Sequence, residues 1–124
     1  MNRALLVMVG GATGSLLRWA VGLRLGASTT GWPWATLVVN LTGSFVLGLL
    51  AAWPSFALET RPELRLLVVT GVLGGFTTYS SFNQETLAAL LGGQPARALA
   101  FAAATLAGCL VSGAAGQLVG SRLG

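Results

Sequence analysis

The chain lacks three of the side chains on which many enzyme active sites depend. It contains no lysine, aspartate or histidine, and its seven arginines and three glutamates make up 8% of 124 residues. Without histidine, aspartate or a cluster of cysteines, no group is a candidate for nucleophilic catalysis or for a hydrolytic metal site. We therefore do not expect an enzyme.

A single cysteine and scattered arginines exclude two further possibilities. Cys109 lies in an apolar segment and has no second cysteine with which to form an intramolecular disulfide. The arginines stand singly at the ends of apolar runs and form no basic patch of the kind that binds nucleic acid. We expect them to anchor the chain to lipid headgroups, and we expect no nucleic-acid partner.

Hydrophobic residues dominate the chain. They make up 54% of it, and the mean hydropathy is +0.78. Four apolar stretches, residues 4–25, 35–53, 64–91 and 96–118, each reach about the 20 residues that cross a bilayer as a helix. The first lacks a convincing cleavage site, so we expect a retained helix rather than a signal peptide. The sequence predicts an all-α membrane protein, a single transmembrane domain of residues 1–124 with four transmembrane helices.

The arginines give a weak orientation signal. Four helices place both termini on one side, with four arginines on that side and two on the other, or three if Arg18 extends to the headgroups. This difference of one or two arginines has two explanations. It is either without significance, or the chain inserts in both orientations and forms an antiparallel homodimer. Four short helices enclose little space, so we expect a second copy on mechanical grounds.

Small residues recur every four positions in the first and fourth helices. Such spacing allows close approach of helix backbones, within one subunit or between subunits. The residues are Gly10, Gly14, Gly108, Ser112, Gly116 and Gly120.

The third apolar stretch contains an unusual density of polar residues. Residues 70–85 read TGVLGGFTTYSSFNQE. The adjacent Gly74 and Gly75 and the threonines that follow weaken a helix, and hydroxyls can satisfy the backbone groups that a break frees. We expect the helix to be broken between Gly74 and Ser81. The alternative is a packing kink whose hydroxyls are satisfied.

A break at this depth has chemical consequences. Non-helical backbone inside a membrane must be buried in protein or line a cavity. One half-helix then presents carbonyls, which attract a cation, and the next presents amides, which attract an anion. The expected break between Gly74 and Ser81 therefore predicts an ion site.

Two other helices carry polar stripes. Thr36, Asn40 and Ser44 recur every four residues, and the Asn40 amide either hydrogen-bonds a neighbouring helix or donates to a passing ion. Thr105, Cys109 and Ser112 share a face of the fourth helix, which fits packing or a polar track.

Two ionisable residues lie in or near the membrane. Arg18 is about fifteen residues into the first span, where an arginine extends to the headgroups or pairs, and we expect Arg18 to extend to the headgroups. Glu85 follows the expected break and is either a group at the mouth of a pore or a partner for Arg18.

Three motifs in this order resemble the bacterial fluoride channel family. They are GGATGSLLR at residues 10–18, WATLVVNLTGSF at residues 34–45 and GGFTTYSSF at residues 74–82. The resemblance covers the first three helices closely and the fourth by its length and small residues. It implies a dual-topology, antiparallel homodimer in the bacterial inner membrane, with two pores that export cytoplasmic fluoride passively and protect the cell from fluoride toxicity.

The resemblance also implies a structural sodium ion. In the family the broken third helices meet at the two-fold axis, where backbone carbonyls hold the ion. By position these are the carbonyls of Gly74 and Thr77. Arg18 corresponds to a structural residue or to one in a vestibule of the pore.

The fluoride pathway is implied in the same way. Asn40 lines it, the ring edges of two aromatic residues face the ion, and hydroxyl and acidic groups continue it. Fluoride is strongly hydrated, so it loses water only where weak donors such as amides, hydroxyls and positive ring edges replace it. The aromatic and continuing residues are Tyr79, Phe82, Ser81, Thr105 and Glu85.

The sequence departs from the family at two positions. Tyr79 stands where phenylalanine is usual, so its hydroxyl needs a partner. Cys109 stands on a face where relatives often carry hydroxyls.

Two other functions fit the sequence less well. A small multidrug or cation exporter needs an acidic residue in the first helix, and residues 4–25 contain none. A structural subunit of a larger membrane complex would use the polar residues only for packing and would conduct no ions when purified.

Overall fold

Every regular element of the described chain is helical. The computed structural model describes residues 2–26, 31–56 and 58–123. Its elements are α1 (Arg3–Leu25), α2 (Trp34–Ala52), α3 (Pro62–Arg65), a π-helix (Leu66–Leu73), α4 (Gly74–Phe76), α5 (Tyr79–Leu91) and α6 (Pro95–Gly120). By length and composition, α1, α2 and α6 can each cross a membrane. The predicted all-α membrane fold is confirmed for these residues.

The third predicted helix is divided in two. α3, the π-helix and α4 follow one another with helical dihedrals and form the upstream half-helix, residues 62–76. Thr77 and Thr78 then adopt extended backbone, with ψ of 160° and 118°. The downstream half-helix is α5. The break therefore lies inside the predicted interval, as two extended residues rather than a packing kink.

α1 packs against the upstream half-helix through glycines. A Cβ atom on Gly10 or Gly14 would collide with a backbone carbonyl of the π-helix, and one on Gly75 would collide with the Gly11 carbonyl. On Gly71 a Cβ atom would lie 2.8 Å from the Gly10 Cα. Because only hydrogen fits at these positions, the two backbones are in direct contact.

α2 and α6 pack in the same way. A Cβ atom on Gly116 or Gly120 would collide with a carbonyl of α2. Between these helices the Ser112 hydroxyl donates to the Leu41 carbonyl at 2.8 Å. The small residues singled out in the sequence thus pack helices within one chain.

Much of the apolar surface faces outward. Met8 is 67% exposed, Trp19 62% and Leu110 76%, whereas Val39 and Phe101 are 1% exposed. A soluble protein of this size rarely leaves such surfaces uncovered, and lipid is the solvent that suits them.

Candidate functional site

Asn40 holds the break from the side of α2. Its Nδ2 donates to the Thr78 carbonyl at 3.0 Å, and its Oδ1 accepts from the Thr78 amide at 2.8 Å. Both residues are buried, with exposures of 9% and 8%. The side-chain amide thus pairs with one residue of extended backbone as a neighbouring strand would, and one of its two N–H groups is left over.

This pairing changes the end of the upstream half-helix. In a continuous helix the Thr78 amide would donate to the Gly74 carbonyl four residues earlier. Here it donates to Asn40 instead. The Leu73 carbonyl still receives the Thr77 amide at 3.0 Å. The Gly74 carbonyl is therefore released from the helical pattern, and Gly74 itself is exposed.

Arg18 holds the break from the side of α1. Its Nη1 donates to the Thr77 carbonyl at 3.0 Å, in a half-buried position. A cation at the carboxyl end of a helix is favourable, because the helix dipole and the last carbonyls are negative there. The expectation that Arg18 extends to the headgroups is wrong, and its partner is backbone rather than Glu85.

Hydroxyls cap the downstream half-helix. Thr78 Oγ1 accepts from the Ser81 amide at 3.2 Å and lies 3.1 Å from the Ser81 hydroxyl. This is the bond that an N-cap threonine makes with the third residue of a helix. Thr78 is therefore the N-cap of α5, and its hydroxyl also donates to the Ser81 hydroxyl.

A groove of about 620 Å³ runs beside the break, between α2, the two half-helices and α6. No charged side chain of the described residues lines it. Its walls include four of the predicted pathway residues, and also the two residues whose carbonyls were assigned to a cation. These are Asn40, Tyr79, Phe82 and Thr105, with Gly74 and Thr77. Arg18, Ser81 and Glu85 lie outside the lining.

The two aromatic residues of the break differ in exposure. Tyr79 is 75% exposed at the edge of the groove, whereas Phe82 is 9% exposed. Their ring centroids are 5.6 Å apart. Phe82 also packs on Phe101, with centroids 5.5 Å apart, and Trp32 packs edge-on against Phe101 at 5.8 Å.

Glu85 and Thr105 present unsatisfied polar atoms. Glu85 Oε1 accepts from the Thr36 hydroxyl at 3.0 Å, while its buried Oε2 has no partner. Thr105 is 5% exposed, and its Oγ1 also has no partner. Cys109, one turn further along α6, lines the same groove.

The sequence did not reveal three residues of this region. Thr78 has extended backbone and forms two hydrogen bonds with the Asn40 side chain. No individual role was predicted for Thr78 from the sequence. Phe101 packs on Phe82 and Trp32 packs on Phe101, and neither was singled out in the sequence. A bulky aromatic four residues before Thr105, on the same face of α6, was the available signal for Phe101.

The sequence is similar to known proteins along most of its length. A family model described as CrcB-like protein, Camphor Resistance (CrcB), matches residues 5–117. The fluoride-specific ion channel FluC of Rhizobium meliloti (strain 1021) is 46% identical over 107 residues, which cover 86% of each chain. The FluC protein of one Thermus thermophilus strain is 50% identical over 107 residues, covering 86% of this chain and 85% of that protein.

A protein of the same name from a second Thermus thermophilus strain is 46% identical over an alignment that covers 100% of this chain and 94% of the relative. The family match extends over most of the chain, and these relatives are similar along nearly their whole length. The chain belongs to the CrcB-like protein family.

Proposed function

We propose that this chain is a fluoride-selective channel of the bacterial inner membrane. It exports cytoplasmic fluoride passively through two pores of an antiparallel, dual-topology homodimer, and so protects the cell from fluoride toxicity. The observation that carries the proposal is the groove beside the break. The Asn40 side chain lines this groove and is held by two hydrogen bonds to Thr78, which leave one N–H of its amide available to an ion. The names of the relatives support fluoride as the ion.

The lining of the groove suits a strongly hydrated anion. Fluoride leaves water only when other donors replace it, and the groove provides an amide N–H, the Thr105 hydroxyl and the ring edges of Tyr79 and Phe82. Each is a weak donor, and none carries a full positive charge. Such a series allows an ion to bind at each point and still to leave, which is the condition for conduction.

A second copy of the chain suits the open side of the groove. Tyr79, Leu106 and Leu110 are 75%, 59% and 76% exposed along its rim. A water-filled groove open to lipid is unfavourable, so a protein surface is the better cover. The small arginine bias supports insertion in both orientations, and an antiparallel pair would form two equivalent pores.

The break also fits a structural sodium ion between the two copies. Gly74 is exposed and its carbonyl is released from the helical pattern, and Thr77 offers a carbonyl that uses only one of its two lone pairs on Arg18. Hard oxygen donors of this kind suit a hard cation. When bound, sodium would neutralise the partial negative charge of facing carbonyls. The residues that would hold it are Gly74 and Thr77.

Reconstitution tests the proposed function. The purified chain is incorporated into liposomes loaded with potassium fluoride, efflux is started with valinomycin, and fluoride is followed with a selective electrode. We expect rapid fluoride efflux and no chloride efflux from matched chloride-loaded liposomes. Absence of fluoride efflux from protein that elutes as a single species would refute the proposal and favour a structural subunit.

A topology assay tests the dimer. A protease site placed at the carboxyl terminus is treated in sealed vesicles from cells. We expect cleavage of about half of the chains from the outside, because equal numbers insert in each orientation. Cleavage of all chains or of none would exclude the antiparallel arrangement while leaving the fluoride result intact.

A further inference from the structure

Ser44 is the member of the polar stripe of α2 whose side chain is left without a partner among the described residues. The Thr36 hydroxyl donates to Glu85 at 3.0 Å, and the Asn40 side chain bonds to Thr78. Ser44 follows one turn later on the same helix face, is half-buried and lines the groove. The stripe therefore extends past Asn40, away from Glu85.

The Ser44 hydroxyl is open to the groove. Other helical hydroxyls of the chain donate to the carbonyl four residues earlier, as Thr13 does to Val9 at 2.9 Å and Thr86 does to Phe82 at 2.7 Å. The Ser44 hydroxyl makes no hydrogen bond with any described residue, and Ser44 Oγ is not buried. It is therefore free to donate to whatever occupies the groove.

The wall around this hydroxyl is mostly aliphatic. On α6, a Cβ atom on Gly113 would lie 3.6 Å from the Ser44 carbonyl, and Cys109, one turn before Gly113, lines the groove. Aliphatic side chains have no donor, so the Ser44 hydroxyl and the weaker Cys109 thiol are localised polar groups in this wall. The aliphatic residues of the groove are Leu47, Val69, Leu73, Leu106 and Leu110.

Asn40 and Ser44 are spaced for an ion to pass from one to the other. Residues four apart on one helix face have Cβ atoms about 5–6 Å apart. Asn40 keeps one N–H free after bonding to Thr78. Phe82 packs with Leu37, about one turn before Asn40, so Ser44 extends the donors of α2 in the opposite direction.

We propose that the Ser44 hydroxyl is a donor of the fluoride pathway, one step from Asn40 on the side away from Phe82. The inference rests on the proposed function and adds a residue to it. The hydroxyl replaces one water of the anion that approaches or leaves the Asn40 amide, so a protein donor is in reach before the next one is released. A neutral hydroxyl binds fluoride less firmly than an arginine would, so the ion can move on.

Substitution of Ser44 tests the proposal against a matched serine. S44A removes only the hydroxyl, and S15A makes the same change on α1, where the exposed Ser15 lies outside the groove lining. We expect S44A to lower fluoride efflux about tenfold, the effect of one hydrogen bond to a charged group, and S15A to stay within about twofold of the parent. Neither should lower the thermal midpoint. Equal efflux from the two variants would overturn the proposal.

A double variant separates donation from packing. S44A/C109S moves the hydroxyl to the wall that α6 contributes, where Cys109 lines the same groove. A hydroxyl at this position can replace a lost donor, but it cannot replace packing lost at position 44. We therefore expect fluoride efflux to return to within about threefold of the parent. Efflux that stays as low as in S44A would assign Ser44 to packing and overturn the proposal.

Efflux by the parent chain separates the inference from the function on which it rests. A parent that releases fluoride, with S44A and S15A alike, refutes the Ser44 donor and leaves the channel standing. A parent that releases no fluoride refutes the channel, and the donor with it.

Discussion

Replacing Asn40 by alanine gives the most direct test of how the break is held. The substitution removes two hydrogen bonds, of 3.0 and 2.8 Å, from a residue whose backbone is buried. Each bond lost with a buried partner left unsatisfied costs about 1–3 kcal/mol, so we expect a loss of about 2–5 kcal/mol in the free energy of unfolding. Part of this is recovered if the Thr78 amide returns to the Gly74 carbonyl.

The matched control is N83A. Asn83 is exposed on α5 and has no hydrogen bond with the break, so its substitution should change stability by no more than about 0.5 kcal/mol. Unfolding is followed by circular dichroism in mixed detergent micelles at increasing fractions of dodecyl sulfate. Fluoride efflux is measured on the same preparations.

We expect N40A to lose both stability and efflux, and to form dimers that are still detectable by crosslinking. An N40A chain as stable as N83A would refute the hydrogen-bonding role of Asn40. A destabilised N40A chain with normal efflux would refute its role as a donor to the ion.

Three further predictions use matched pairs or a near-isosteric change. G14A should lose at least about 2 kcal/mol of stability because its Cβ meets π-helix backbone, whereas G22A, with open space around it, should gain up to about 1 kcal/mol; equal thermal midpoints would contradict this packing. T105V removes an unpartnered buried hydroxyl, so it should raise stability by about 1 kcal/mol and yet reduce fluoride efflux; unchanged efflux would remove this residue from the pathway. R18Q loses a charged bond to the break and should cost about 1.5–3 kcal/mol, against about 0.5 kcal/mol or less for the exposed R24Q in thermal unfolding.

Most of the helical architecture could be predicted from the sequence, because a helix that crosses a membrane requires a long run of apolar residues. The apolar stretches placed the ends of α1, α2 and α6 within two residues of those observed. The three motifs identified the family that the comparisons confirm, and relatives named as ion channels agree with the prediction that the chain is not an enzyme. These features depend on local composition, which a single sequence contains.

Hydrogen bonds between residues far apart in the sequence could not be predicted from local composition. A pairing of Glu85 with Arg18 was one of two alternatives for Glu85, but Arg18 bonds to a carbonyl and Glu85 to Thr36. The exact position of the break, at Thr77 and Thr78, depends on Asn40 in another helix. The π-helix gave no sequence signal, because six apolar residues, one threonine and one glycine suit an ordinary helix equally well.

The two side chains that hold the break lie earlier in the same chain. Asn40 and Arg18 fix Thr78 and Thr77 from two helices that precede them in the sequence. Both helices enter the membrane during synthesis before the third one, so the break acquires its shape as it is inserted. In the proposed homodimer, assembly would then join two surfaces that are already formed, because Asn40 and Arg18 hold the break without a residue of the second copy. Each chain of that homodimer would carry a formed half of each site before pairing.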